Sequence, residues 1–428
     1  MRISGADFVM PVSCDFSLPV MSRIRQHFDD KYIKDISAAV IRTLNLLDLP
    51  PLHGKKIGIT VGSRKIDGLI DVLKTLNCFL RGKGAFPFII PAMGSHGGAT
   101  ADGQRFMLAG LGIDDGTTGM PVISDMSVVQ VGVYPNGLPI FCAKTAVEAD
   151  YIIVLSRVKA HTSIKGEVES GLCKMAVVGL GKHLGAINFH KQGYHKLAEL
   201  LPNVGNVIFN KVNTLFGLAL IENAYDRLFM VEAIPPSQLV SREKELLLLA
   251  KNKMSRFFLD EIDVLIVDRF GKDISGAGLD PNITGRSITP LPITPQVPIR
   301  TIVALNLTDA SHGNATGIGG VDITTQTVIK SIDAQSTYVN AFTSGALSAV
   351  KLPIILANDE DAIRMAIRSV PCNSISDVKV VHILDTLHLG EIEVSSNYIH
   401  KLSGNLKITL LDSANMKFDN NNKLISNL

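Results

Sequence analysis

Short unbroken runs of Val, Ile and other apolar residues alternate along the chain with stretches whose apolar positions recur at helical spacing. Lys56–Val61 (KIGITV) predicts a strand buried on both faces, and residues 67–80 predict a helix that Gly82 and Gly84 bring to an end. Phe86–Pro91 (FPFIIP) predicts a second strand, running into the glycine-rich segment GSHGGAT, with a helix to follow over 100–111. Residues 151–155 (YIIVL) and 215–221 (LFGLALI) predict two more strands. A long helix over 237–258 leads to VLIV at 264–267, where the alternation restarts. Further strands are expected at Ile299–Leu307 and Ile354–Leu356, a helix over 326–341 between them, and one or two strands within 378–394. Strands without polar interruption, each followed by a helix, belong to α/β architecture with mainly parallel sheets.

At 428 residues the chain exceeds what one core organises, so two α/β domains are expected. The break falls near 255–262. It leaves an N-terminal catalytic and cofactor-binding domain over 1–256, a second domain over 257–400 and a tail segment over 401–428, whose asparagine-rich end is expected to be loosely held. Residues 275–298, rich in Gly, Pro, Ser and Thr, read as a functional loop, since strands lie on both sides. With 42 basic and 40 acidic residues, the chain has no global pull toward nucleic acid or an acidic membrane; neither is expected as a partner, and any anion site is local. Five cysteines, none spaced as CxxC, fit a reducing cytoplasm. The opening MRISGADFVMPV lacks an apolar run of signal-peptide length, and no apolar stretch long enough for a membrane span occurs.

In open α/β sheets ligands gather at the carboxyl ends of the strands. Three expected strands end in polar clusters: Gly62-Ser63-Arg64-Lys65, Gly94-Ser95-His96-Gly97-Gly98, and Ser156-Arg157-Val158-Lys159-Ala160-His161. An arginine suits bidentate capture of a carboxylate, and a neutral histidine can move a proton near pH 7. Each residue alone reads more readily as a surface charge or a loop hydrogen-bonder; folding does not require all three at strand exits.

Residues 157–196 carry seven Lys or Arg against two Glu, and four of the eleven histidines: His161, His183, His190 and His195. A solvated basic face would explain most of these. It does not explain Lys174, which sits in the apolar run Leu172-Cys173-Lys174-Met175-Ala176-Val177-Val178. A buried ammonium is costly unless paired or chemically modified, and a buried amine is a candidate for covalent attachment. The glycines of GLGKHLG (179–185) come one residue too late for a dinucleotide fingerprint, which disfavours an NAD-dependent dehydrogenase. His183, His190 and His195 match no zinc spacing.

Together these residues resemble the nickel-dependent lactate racemases and related 2-hydroxyacid racemases and epimerases, over most of the chain. In that family a lysine in an SGxxK motif is joined covalently to a nickel-pincer nucleotide; Ser170-Gly171-Leu172-Cys173-Lys174 is similar, so the resemblance implies attachment at Lys174. It further implies His190 as the nickel ligand, His96 and His161 as the acid/base pair, and Arg64 and Lys272 (in GKDI) as the groups holding substrate oxygens. The basic residues Arg157, Lys159, Lys165 and Lys182 are candidates for the cofactor phosphate. The family has two α/β domains with an interdomain active-site cleft. Its arginine motif often reads Asp-His-Thr-Arg-Pro, whereas Val-Gly-Ser-Arg-Lys stands here, and that leaves the substrate open.

The implied reaction inverts a 2-hydroxyacid by removing and returning hydride. One histidine takes the hydroxyl proton for each enantiomer, so the site needs two bases of similar strength. The partners implied are the small-molecule substrate and the enzymes that synthesise and load the cofactor. Two rivals stand beside this reading. One is an epimerase of a longer sugar acid, whose chain would meet Asp280, Asn282 and Arg286. The other is a non-catalytic, cofactor-free binding protein of the same fold. His312, in the glycine-rich segment 311–317, could face the site or serve its loop.

Overall fold

A computed structural model of the chain describes residues 14–428, and the opening segment read above for a leader lies outside them. The chain divides into two compact units, Asp29–Met254 and the combination of the segment ending at Phe28 with Ser255–Leu428. The strands in chain order are β1 (Val20–Gln26), β2 (Lys56–Val61), β3 (Phe86–Pro91), β4 (Val128–Val133), β5 (Pro139–Ala143), β6 (Tyr151–Arg157), β7 (Thr214–Glu222) and β8 (Leu228–Ile234). They continue with β9 (Ile262–Phe270), β10 (Ile299–Leu307), β11 (Ile323–Thr325), β12 (Ile354–Leu356), β13 (Val380–Ile383), β14 (Glu391–Ser395) and β15 (Ile408–Asn415).

In the 29–254 unit the sheet runs β3-β2-β6-β7-β8, parallel except for the last pair. Alternate residues of one strand enter opposite cores. Ile153 and Leu155 of β6 pack with helix Leu69–Gly82, whereas Ile152 and Val154 pack with helices Tyr194–Lys211 and Leu239–Lys253. Two covered faces are the reason these strands read as unbroken apolar runs. A hairpin of β4 and β5 forms a separate small sheet.

In the other unit the order is β12-β11-β10-β9-β13-β14-β1-β15. From β12 to β13 the strands are parallel; β14, β1 and β15 are antiparallel. Here the structure corrects the expected domains, because β1 from the start of the chain lies between β14 and β15. Gln26, at the end of β1, is buried; its amide donates to Leu389 O (2.8 Å) and accepts from Phe258 N (2.8 Å). Residues 401–428 are not a loose tail. They supply β15, pack Phe418 and Leu424 against the core, and pair Leu424 N with Asp359 Oδ2 at 3.0 Å. The single helix expected over 326–341 is two, Gln326–Ser331 and Ala334–Ser344, the second capped by Asp333 accepting from Ser336 N. Among the described residues, no helix is long and apolar enough to cross a membrane.

Candidate functional site

Strands β3, β2 and β6 are neighbours, so their carboxyl-terminal exits lie side by side and carry His96, Arg64 and His161 on adjacent loops. The first two loops meet directly: Ser63 Oγ and His96 Nδ1 are 2.5 Å apart. That bond orients the imidazole and sets which of its nitrogens carries hydrogen. Both loops also rest on the segment after Lys174. A Cβ on Gly62 would lie 3.2 Å from the Met175 side chain, and one on Gly179 would lie 2.6 Å from Ala92 O at the end of β3. Gly179 is therefore required for this backbone approach. It closes a π-helical turn, Met175–Gly179, with Leu180 N bonded to Met175 O. Such turns interrupt α-helices mostly at functional sites.

The loop after β6 folds back on itself, and Lys159 and Ser170 pair through both backbone bonds. This return brings Lys174 against His161, with Nζ 2.6 Å from Nε2. His161 Nδ1 accepts two backbone N–H bonds, from Ser163 (2.9 Å) and Ile164 (3.0 Å). A nitrogen that accepts twice carries no hydrogen, so the ring of neutral His161 has its proton on Nε2. Nε2–H then donates to Lys174, and the Lys174 nitrogen must offer a lone pair. The geometry calls for a neutral amine. Electrostatics agree: burial, then the charges of Lys159 and Arg64, pull Lys174 from 10.5 to about 7. Burial, then Lys174, also holds His161 well below its ordinary value. To accept a proton at Nε2, His161 would need its hydrogen on Nδ1, at the expense of both amide bonds.

His190 closes the helix Lys182–His190. Its Nδ1 is buried and has no hydrogen-bond partner among the described residues. Burial, then the charge of Lys174, lowers His190 to about 4, so its ring is neutral at pH 7 and has a lone pair to give. Among the described residues, no three His, Cys, Asp or Glu side chains come together as a metal cage. A metal taken by His190 would have to bring its remaining ligands with it.

The other candidates take different places. Arg64 is exposed, and among the described residues no carboxylate pairs with it; partial desolvation and Arg157 lower its pKa. Arg157 is held by Glu222. Lys165 donates to His161 O and lies 3.5 Å from Glu169. Ser170 and Gly171 shape the turn before Lys174. Lys182, expected at a phosphate, is fully buried instead: Nζ donates to Pro91 O (2.5 Å) and Gln104 Oε1 (3.2 Å). The Gln104 amide in turn donates to Gly94 O (2.9 Å) and His96 O (3.3 Å), so Lys182 props up the His96 loop. In the other unit, Lys272 lies just past β9 and donates to Gly276 O (2.7 Å) and Asn340 Oδ1 (3.2 Å). His312 is exposed beyond β10, with a left-handed backbone (φ 47°).

Two glutamates hold this site and were missed in the sequence. Glu169, 1% exposed, accepts from His161 N (2.7 Å) and Lys251 Nζ (2.7 Å), anchoring the histidine loop. Glu243 is fully buried beneath the Lys174 turn and accepts from Cys173 N at 2.8 Å. A Cβ on Gly171 would lie 2.2 Å from Glu243 Oε1, which explains the glycine before the Lys174 turn. Burial raises Glu243 from 4.5 to about 7, against the hydrogen bonds of Cys173. The folded protein therefore holds this proton where the unfolded chain releases it, and stability falls as pH rises from 4.5 to about 7. Glu243→Gln is expected to remove that slope from thermal midpoints measured across the window. Glu243→Leu, which leaves Cys173 N unpaired, is expected to cost about 1–3 kcal/mol in denaturant titration.

No protein-family model matches this chain, and no curated protein does. Among solved structures, a crystal structure of a Thermotoga maritima protein is similar with a TM-score of 0.50 at 14% identity, covering 77% of this chain and 89% of that one. This likeness shows a shared fold. The lactate racemase apoprotein from Thermoanaerobacterium thermosaccharolyticum superposes with a TM-score of 0.48 at 15% identity, covering 91% of this chain and 96% of that one.

Proposed function

We propose that this chain is an isomerase, a racemase or epimerase of a 2-hydroxyacid, that works with a nickel-pincer nucleotide attached to Lys174. The observation that carries the reading is Lys174 Nζ in hydrogen-bond contact with His161 Nε2, within electrostatic reach of His190, whose buried Nδ1 has no hydrogen-bond partner among the described residues. These are the two things such a group needs from the protein, a nucleophilic nitrogen and one imidazole donor. When bound, the group supplies a hydride acceptor beside the substrate carbon.

The residues of this chain divide the remaining work. Arg64, unpaired by any carboxylate among the described residues, takes the substrate carboxylate. His96, oriented by Ser63, holds or releases the proton of the substrate hydroxyl. Acylation of Lys174 removes the lone pair to which His161 donates, and Nε2–H becomes available to a substrate oxygen. Serving as the second base requires more of His161, namely release of Nδ1 from the Ser163 and Ile164 amides. Lys272 belongs to the other unit and is proposed as the carbonyl-oxygen contact by resemblance alone.

The test is an intact-mass and nickel measurement on protein co-expressed with the cofactor-synthesis enzymes, followed by assay against a panel of chiral 2-hydroxyacids. A covalent adduct on Lys174, one nickel per chain and inversion of one panel member are expected. An unmodified Lys174 in such cells would favour the non-catalytic binding reading. His96→Ala is expected to lower turnover by about 10²–10⁴-fold while leaving the adduct in place; full activity in that variant would remove His96 from the mechanism.

A further inference from the structure

The unloaded site has a chemistry of its own. Lys174 Nζ accepts a hydrogen bond from His161 Nε2–H, which marks it as an unprotonated amine whose lone pair becomes nucleophilic once that bond opens. The side chain is half-buried rather than sealed. Arg64 and Lys159 both act on it with positive charge, and among the described residues Arg64 has no carboxylate partner. A nucleophilic nitrogen in the field of a guanidinium that no carboxylate among the described residues neutralises, on the loop whose Gly62 packs against Met175, is complementary to a small molecule with a carbonyl at one end and an anion at the other.

We propose that Lys174, before any cofactor is attached, forms a reversible imine with small anionic carbonyl compounds of the 2-oxoacid class, with Arg64 holding the carboxylate. The Nζ lone pair bonds to the carbonyl carbon. One amine hydrogen is lost and the carbonyl oxygen gains one, giving a carbinolamine. Its hydroxyl then leaves as water with the second amine hydrogen as the C=N bond forms. No electrons are transferred and no co-reactant is needed. The proposal uses only residues of the 29–254 unit and does not depend on nickel.

A consequence is that 2-oxoacid and cofactor compete for one nitrogen, so such a compound would slow loading of the site. The experiment uses full-length protein from a host without cofactor synthesis, incubated with glyoxylate and cyanoborohydride, which reduces an imine to a stable secondary amine. Modified lysines are then located by peptide mapping. Lys174 is expected to react on the order of 10²-fold faster than the exposed lysines, because far more of its amine is neutral at pH 7. With acetaldehyde, normalised to the reactivity of Nα-acetyllysine, that advantage is expected to shrink about tenfold or more, since a neutral aldehyde has nothing for the guanidinium to hold. Arg64→Gln, verified as folded by its circular dichroism and thermal midpoint, is expected to erase the preference for glyoxylate.

Labelling of Lys174 no faster than that of surface lysines would overturn the proposal. So would an Arg64→Gln protein that keeps the full preference for the anion. Nucleotide loading is a separate measurement. Imine formation in a chain that never acquires nickel upholds this inference and sinks the racemase reading, and loading without imine formation does the reverse.

Discussion

A Lys174→Ala chain, produced together with the cofactor-synthesis enzymes, is expected to emerge at its unmodified mass, without nickel and without racemase activity. The loss is complete because alanine offers no nitrogen to acylate. Lys174→Arg is expected to fail equally, since a guanidinium stays protonated and is a poor nucleophile. Lys174→Met separates this chemistry from folding. Folded Lys174 sits at about 7, against 10.5 in its ordinary state, so between these values the unfolded chain binds a proton that the native protein does not. Native stability therefore rises with pH through that window, and the methionine variant should lack the rise. Its stability at pH 7 should stay close to that of the parent, because replacing a desolvated amine with an apolar side chain of similar length offsets the hydrogen bond that His161 Nε2–H loses. A Lys174→Met protein that still acquires the nucleotide would end the assignment. One that unfolds would contradict the claim that the amine is held at a cost.

The residues that made this site legible in the sequence are those that broke a local rule. Lys174 interrupts an apolar run, and His96 and His161 closely follow largely buried strands whose apolar runs stand out in the sequence. β2, β3, β10 and β12 fall where their apolar runs predict; in β2, β3 and β10 the middle of each strand is buried on both faces, and the polar Thr60 within β2 is tolerated because its hydroxyl donates to Leu155 O. The exposed antiparallel strands were not legible. β4 and β15 are largely exposed, so they carry no continuous apolar signal. The place of β1 between β14 and β15 depends on pairing across most of the chain, which leaves no local trace.

The supporting glutamates were invisible for a related reason. Glu243 lies on helix Leu239–Lys253 among Arg242, Lys244 and Glu245, where a charge reads as solvent-facing. Only the fold shows that this one carboxylate turns inward to meet Cys173 N and that Gly171 is small to make room for it. Lys182 erred in the opposite direction. A lysine in a glycine-rich, basic stretch reads as an anion contact, yet burial and two oxygen acceptors make it a brace beneath His96. What the sequence exposes is the side chain that breaks the local pattern. The side chains that hold it still look like ordinary surface residues until their neighbours are known.

The second large effect is expected far from this chemistry, at His382. It lies on β13, where the parallel part of its sheet meets the antiparallel part, and its ring is 2% exposed. Nε2 is 2.6 Å from Asp268 Oδ1 on β9, and Nδ1 is 2.7 Å from Glu393 Oε2 on β14. Burial opposes a charged ring, but hydrogen bonds to Asp268 and Glu393 outweigh it and raise the pKa from 6.5 to about 9. A protonated imidazole thus ties three adjacent strands through two carboxylates. His382→Leu leaves both carboxylates close together and uncompensated, and is expected to destabilise its unit by about 3–5 kcal/mol in denaturant titration. The pH dependence has a fixed sign. This stabilisation is fully present below 6.5 and is lost as pH rises through about 9, so the parent protein should weaken over that window and His382→Leu should not. Adding Asp268→Asn and Glu393→Gln to His382→Leu should recover part of the loss, because the penalty lies in the stranded charges rather than in the missing ring. A single His382→Leu variant within about 1 kcal/mol of the parent would show that solvent already neutralises those carboxylates and that the triad contributes little.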